Sequence, residues 1–148
     1  MTAEEILAIT EYLTSVKADP IRYIHPIYLT WIIKHPEVKY LEPWANVTNA
    51  DLVNNVDYKE ALGKLADVEA AVLDHLHNPD DAYGIYYSYG EYLHGKGFIV
   101  QYIIWYLQIW MNQLKGNKDI KHQVITALEK LAPYTSDVVQ EAVGKHLQ

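Results

Sequence analysis

The stretch that decides the fold class is FIVQYIIWYLQIWMNQLK, residues 98–115. From Phe98 to Leu114 it contains no charged residue. It is too short and too rich in amide side chains to span a bilayer, which needs about 20 apolar residues in a helix. A helix that is apolar on nearly all sides is buried in the middle of a protein. We therefore expect an all-α bundle of about six helices around a central apolar helix at about residues 98–114.

The size of the chain agrees with one domain. It has 148 residues, and a chain of this length buries roughly 68–70% of its unfolded surface, so it folds without disulfides or metals. It contains no cysteine, which excludes thiol catalysis, thiolate metal sites and disulfides. We expect residues 1–148 to form a single helical domain.

Helix signals recur along most of the chain. Capping boxes at Thr2 to Glu5 and at Asp57 to Glu60 predict two helix starts. Asp19 followed by proline predicts a third start, because an acidic cap and a first-turn proline both favour a helix N-terminus. Apolar residues then repeat every three or four positions. The predicted helices cover about residues 2–17, 19–35, 57–77, 80–94, 98–114 and 117–132, with a short last helix at 136–146.

Residues 36–56 are the least regular part of the sequence. Pro36 and Pro43 leave room for at most one short helix, because proline interrupts helical hydrogen bonding. We expect an irregular connection within the domain. Long connections are either structured loops or segments that carry function.

The charge of the chain and its first residues limit the partners and the location that we expect. The formal net charge is −7, and Arg22 is the only arginine beside eleven lysines. Nucleic-acid binding depends on clustered cations, so no nucleic-acid partner is expected. The acidic start MTAEEILAIT lacks the basic flank of a signal peptide. We expect a cytoplasmic protein without a membrane partner.

A cluster near residue 77 has the chemistry of metal ligands. His75 and His77 are followed by Asp80 and Asp81, and such groups bind zinc or manganese. Residues two apart on a helix point about 200° apart, so the two histidines do not face one ion. No metal site or other cofactor is predicted.

No catalytic motif is present in the sequence. It contains no P-loop, no nucleophile elbow and no nucleophile that a motif places beside a base. The catalytic residues are therefore unassigned. Whether the chain is an enzyme is left open, with a non-enzymatic role favoured.

Glu69 is the most informative polar residue, because it falls on the apolar face of the predicted helix at 57–77. A carboxylate there needs partners, or its pKa rises. An antiparallel pairing with the next helix places Glu69 opposite about residue 88, among some of the chain's 13 tyrosines. Two simpler interpretations are an edge residue that reaches water and a structural hydrogen bond from a tyrosine. The candidate ligand-binding pocket comprises Glu69, Tyr86, Tyr89, Tyr92 and His94.

Two functional hypotheses follow. The first is a non-enzymatic protein-interaction protein, such as an immunity, regulatory or phage-encoded adaptor factor, with self-assembly left open. The alternative is a small-ligand-binding protein or enzyme with a pocket lined by tyrosine and glutamate between the helices at 57–77 and 80–94. An enclosed cavity that touches Glu69 would favour the alternative, whereas a filled core with an exposed aromatic patch would favour the first.

Overall fold

The computed structural model describes residues 1–76 and 78–144, without the side chain of Pro79. Within these residues the chain forms eight α-helices and one 3-10 helix, and no strand, so the all-α prediction is confirmed. The helices are α1 (Ala3–Ala18), α2 (Pro20–Lys34), α3 (Pro36–Tyr40), the 3-10 helix (Asn49–Asn54), α4 (Val56–Ala70), α5 (Val72–His75), α6 (Pro79–Gly95), α7 (Val100–Lys115) and α8 (His122–Val143).

Side-chain caps fix the first helix starts. The capping box of α1 is present: the Glu5 amide donates to the Thr2 hydroxyl at 3.1 Å, and the Thr2 amide donates to the Glu5 carboxylate at 3.4 Å. In α4 the cap lies two residues before the predicted one. The Asn55 side chain accepts from the Tyr58 amide at 3.0 Å, because its extended backbone lets the side chain reach the first turn.

The central helix of the bundle is α8 rather than α7. Eleven of the 22 residues of α8 are buried, against four of the 16 residues of α7. Helix α8 packs against α1, α6 and α7, whereas α7 packs against α2 and α8. The expectation of a central helix at 98–114 is therefore wrong. Uncharged amides at Gln101, Gln108 and Asn112 are exposed, so the solvent face of α7 carries no charge before its last residue, Lys115.

Helix α8 is continuous where two helices were expected. It begins at His122, because the Asn117 side chain accepts from the Asp119 amide at 2.9 Å and closes a turn instead of capping a helix. Pro133 lies inside α8 at an exposed position, and the helix continues although proline supplies no amide for one backbone hydrogen bond. The predicted end near His146 lies outside the described residues.

Glycine allows α6 and α8 to approach closely. A Cβ atom on Gly90 would lie 2.5 Å from the Cβ atom of Ala142 and 2.6 Å from the carbonyl oxygen of Val139. A larger residue at this position would push the helices apart. The tyrosine-rich helix α6 is therefore packed chiefly against α8 and only lightly against α4.

Residues 36–56 are packed against the core. Val38, Trp44 and Leu52 are buried, and the Trp44 ring centroid lies 5.0 Å from that of Tyr58. The Lys39 ammonium group donates to the carbonyl oxygen of Val47 at 2.6 Å and so ties α3 to the following turns. Turns and short helices, rather than an open loop, fill this segment.

Candidate functional site

Glu69 lies in the last turn of α4 and is only 4% exposed. Among the described residues, neither carboxylate oxygen has a hydrogen-bond partner. Burial raises the pKa of Glu69 to about 8. The interpretation as an exposed edge residue is therefore wrong, and so is the interpretation as a carboxylate that accepts a hydrogen bond from tyrosine.

A cavity of about 80 Å³ adjoins Glu69. Six helices contribute to its wall, which apart from Glu69 is built mainly from apolar and aromatic side chains. Ile103 and Leu107 from α7, Tyr89 from α6 and Thr135 from α8 are half-buried lining residues. The lining residues are Trp31, Leu65, Val68, Glu69, Val72, Tyr89, Leu93, Ile103, Tyr106, Leu107, Trp110, Ala132, Thr135, Ser136 and Val139.

Four buried polar atoms that have no partner among the described residues belong to side chains that line this cavity. They are the two carboxylate oxygens of Glu69, the hydroxyl oxygen of Tyr106 and the indole nitrogen of Trp31. Leaving one buried polar group unsatisfied costs about 1–3 kcal/mol. Several unsatisfied polar atoms around one cavity are typical of a site that binds a ligand, because such atoms reduce the stability of the fold.

Three phenols respond to the charge of Glu69. Burial raises the pKa values of Tyr12, Tyr89 and Tyr106, and the charge of Glu69 raises each of them further, although for Tyr89 the charge of Glu42 has the larger effect. The Tyr12 hydroxyl accepts a hydrogen bond from the Trp110 indole at 3.3 Å. These tyrosines therefore stay neutral at physiological pH and supply polar atoms without adding charge.

Of the five predicted pocket residues, all within the described part of the chain, two border this cavity. Glu69 and Tyr89 line the cavity, whereas Tyr86, Tyr92 and His94 are not part of its wall. Tyr86 is fully buried near Tyr134, with ring centroids 6.3 Å apart.

Tyr92 and His94 are not part of the cavity wall, and their positions depend on helix packing that the sequence does not reveal. Lys64 and Lys96 place their ammonium groups 4.1 and 4.5 Å from the centroid of the Tyr92 ring. His94 is half-buried in the last turn of α6. The helical wheel assumed that α6 faces α4, but its main neighbour is α8, so only part of the tyrosine face reaches Glu69.

Sequence reasoning missed most of the aromatic wall. Trp31 comes from α2, and Tyr106 and Trp110 come from α7. The spacing of Ile103, Tyr106, Leu107 and Trp110 does indicate one helix face. It does not indicate which helix that face meets, so the wall could not be assembled from periodicity alone.

A larger cleft, of about 610 Å³, lies between α1, α2 and the turn that joins α7 to α8. Its charged groups include Glu11, Arg22 and Lys121. Glu11 and Lys121 pair at 3.4 Å while both remain well exposed to solvent. The polar groups of this cleft are exposed to water, so they need no ligand as a hydrogen-bond partner.

No metal-ligand cluster is present among the described residues. No group of three or more histidine, aspartate or glutamate side chains in that part of the chain is placed to hold an ion. His77 lies outside the described residues, so the cluster considered around His75, Asp80 and Asp81 is only partly placed. In the same part of the chain, none of the helices combines the length and the apolar run that crossing a membrane requires.

Comparison of the chain with protein-family models, with curated proteins and with solved structures finds no match. No relative therefore indicates a ligand, a partner or a reaction. The remaining guide to function is the chemistry of the cavity, which combines an unpaired carboxylate with a wall of aromatic rings.

Proposed function

We propose that this protein binds a small organic molecule in the cavity beside Glu69. One observation carries the proposal: a buried carboxyl group that has no partner in the described part of the chain borders a cavity. A stable core would fill such space with apolar groups and would pair or exclude the charge. Ligand sites in contrast are mostly apolar, with a few polar groups that fix the orientation of the ligand.

The volume limits the size of the ligand. A dry protein cavity of roughly 150 Å³ holds a benzene molecule of six non-hydrogen atoms. By that scale, the cavity of about 80 Å³ holds about three or four non-hydrogen atoms. The ligand is therefore a compact molecule, or the small end group of a larger one.

A thermal-shift screen of metabolites with up to about six non-hydrogen atoms tests the proposal, because a ligand of the folded state raises the melting temperature. Compounds that raise it are then titrated while the indole signals of the four tryptophans are followed by NMR. Trp31 and Trp110 line the cavity, whereas Trp44 and Trp105 do not. A ligand of the cavity should shift the first two signals and leave the second two in place.

A variant that fills the cavity provides the control. Ala132 is a small residue in the cavity wall, so Ala132→Leu should occupy the space and abolish binding in a folded protein. Equal binding to Ala132→Leu would place the site elsewhere. A screen in which no compound raises the melting temperature would refute the proposal.

A second candidate function is protein interaction, of the immunity, regulatory or adaptor kind. It is favoured by a stacked row of half-buried rings, one from His35 just after α2 and two from α7. The rings of His35 and Trp105 stack at 3.7 Å with an angle of 3° between their planes, and Tyr102 stacks on Trp105 at 5.8 Å. Aromatic side chains are enriched at protein interfaces.

The two candidates respond to different substitutions. A protein partner that co-purifies with the wild type and with Ala132→Leu, but not with Trp105→Ala, would support the interaction role. A partner that is retained by Trp105→Ala would show that the stacked row is not the interface.

A further inference from the structure

We propose that the cavity selects a small primary alkylammonium ion, a class of ligand that rests on the proposed function. The proposal follows from the kinds of atoms around the cavity. Among the side chains that line the cavity, Glu69 has two oxygens and Tyr106 has one oxygen without a partner in the described part of the chain. A primary ammonium group has three N–H donors and no acceptor, which matches these acceptors in kind and in number.

The charge of Glu69 favours a cation over a neutral donor. Among the described residues that line the cavity, none is a lysine, an arginine or a histidine, so the protein supplies no counter-ion there. A buried carboxylate is stabilised far more by a paired cation than by one neutral hydrogen bond. A ligand with a positive charge therefore gains the most from this position.

The aromatic rings suit the rest of such an ion. Trp31 and Tyr106 have ring centroids 5.1 Å apart, and Tyr106 and Trp110 have ring centroids 6.4 Å apart, so the three form a continuous wall. Indole and phenol faces attract ammonium groups, and they also contact short alkyl chains. By size, methylammonium and ethylammonium fit the cavity, whereas butylammonium exceeds it.

Binding of this ion must release a proton. The pKa of Glu69 is raised to about 8 by burial, so its carboxyl group is mostly protonated in the free protein at pH 6 to 7. The bound ammonium ion pairs with the carboxylate form, and the carboxyl proton passes to solvent while no covalent bond changes. The affinity should therefore rise about tenfold per pH unit from pH 6 to 7 and level off near pH 8.

No other group that faces Glu69 should produce this pH dependence. The titratable groups around it are Tyr12 from α1, Tyr89 from α6 and Tyr106 from α7, and the pKa of each is raised above its ordinary value. Among the described residues that line the cavity, those from α2 and α8 include Trp31, Thr135 and Ser136, and none of these lining residues titrates. The linked proton is thus assigned to the carboxyl group of Glu69.

The test compares ethylammonium chloride with ethanol, which has the same number of non-hydrogen atoms and no charge. Dissociation constants are measured at pH 6, 7 and 8 from the indole signals of Trp31 and Trp110. We expect ethylammonium to bind at least tenfold more tightly than ethanol at pH 8. The ethylammonium constant should fall about tenfold between pH 6 and 7, and the ethanol constant should stay unchanged.

Glu69→Gln should lose at least tenfold in ethylammonium affinity at pH 8 while its ethanol affinity is retained. Glu129→Gln is the matched control, because it removes a carboxylate that is about half exposed on α8 and should bind as the wild type does. The pH series and the ethanol comparison need no variant and remain decisive if Glu69→Gln folds poorly.

The outcomes separate the two proposals. Equal, pH-independent affinities for ethylammonium and ethanol would refute the selection of a cation and leave small-molecule binding in place. Binding of neither probe, together with a negative metabolite screen, would refute both. Unchanged ethylammonium affinity in folded Glu69→Gln would refute the role of the carboxylate.

Discussion

Glu42 and Glu69 are two buried glutamates in different surroundings, with 6% and 4% of their surface exposed. Glu42 lies in the turns after α3, and the Lys96 ammonium group beyond α6 donates to its carboxylate at 2.7 Å. Glu69 borders a cavity and has no partner among the described residues. A buried glutamate is thus paired with a lysine where two segments meet, and it has no partner among the described residues where it borders a cavity.

The pairing of Glu42 has a structural consequence. It joins residues 36–56 to the turn between α6 and α7, where Gly97 adopts a positive φ of 93°. Lys96 also lies over the ring of Tyr92 and so closes this junction. Burial of a carboxylate is therefore not by itself a sign of function, whereas burial without a partner beside a cavity is the more informative combination.

The largest expected effect comes from removing the partner of Glu42. Lys96→Met keeps the apolar stem and leaves the carboxylate buried without a cation. Breaking a buried pair in this way costs about 3–5 kcal/mol, and we expect about 3 kcal/mol because the Lys96 side chain is 20% exposed. Urea unfolding at pH 7 measures the change. The double variant Lys96→Met with Glu42→Gln should recover part of the loss, and a loss below 1 kcal/mol in the single variant would show that water replaces the lysine.

Removing the charge of Glu69 should have the opposite sign. The folded pKa of about 8 lies above the unfolded value of about 4.3. The carboxyl group therefore contributes most stability below pH 4, and this contribution is lost as the pH rises toward 8. Glu69→Gln lacks this loss, so it should match the wild type near pH 4 and exceed it by about 2 kcal/mol at pH 6.

Thermal and urea unfolding from pH 4 to pH 8 follow this difference. Overlapping curves for the wild type and Glu69→Gln would indicate that water reaches Glu69. A variant that is less stable at neutral pH would indicate that the ionised carboxylate has a good partner in solution, which would remove the contrast with Glu42.

The space beside Glu69 can be tested separately from its charge. Ala132→Leu places apolar atoms in the cavity and should change the free energy of unfolding by less than about 1 kcal/mol. Ala127→Leu, at a fully buried position of the same helix that does not border the cavity, should destabilise by about 1–3 kcal/mol through overpacking. Equal losses in the two variants, measured by urea unfolding, would mean that the cavity does not accept a side chain.

The sequence contains the local parts of this fold but not their arrangement. The Thr2 capping box and the apolar face that carries Glu69 depend on residues within a few positions of each other, so periodicity predicts them. The central role of α8 depends on which helices meet. An uncharged run such as Phe98 to Leu114 predicts a helix, but it does not distinguish a buried face from an amide-covered solvent face.

The candidate site, too, can be predicted from the sequence only in part. A helical wheel shows that Glu69 lies on an apolar face. The expectation of a raised pKa follows from the burial of that face. The partners are not visible, because Trp31 and Tyr106 are 38 and 37 positions away in the chain. Only the packing of α2 and α7 brings these rings to the carboxylate, while Tyr92 and His94, which are nearer in sequence, lie outside the cavity wall.

The smallest expected effect comes from substituting Glu129, an exposed glutamate that serves as a reference for the buried Glu42 and Glu69. Glu129 on α8 lies 3.6 Å from the Lys115 ammonium group, and both side chains are about half exposed. Exposed pairs of this kind contribute between zero and about 1 kcal/mol, because water and salt screen them. Glu129→Gln should therefore change the free energy of unfolding by less than about 0.5 kcal/mol at pH 7, and the change should shrink further in 1 M salt. If urea unfolding instead gives a loss comparable to that of Lys96→Met, the overall charge of the chain, rather than the burial of each carboxylate, determines these effects, and Glu69 loses its distinction.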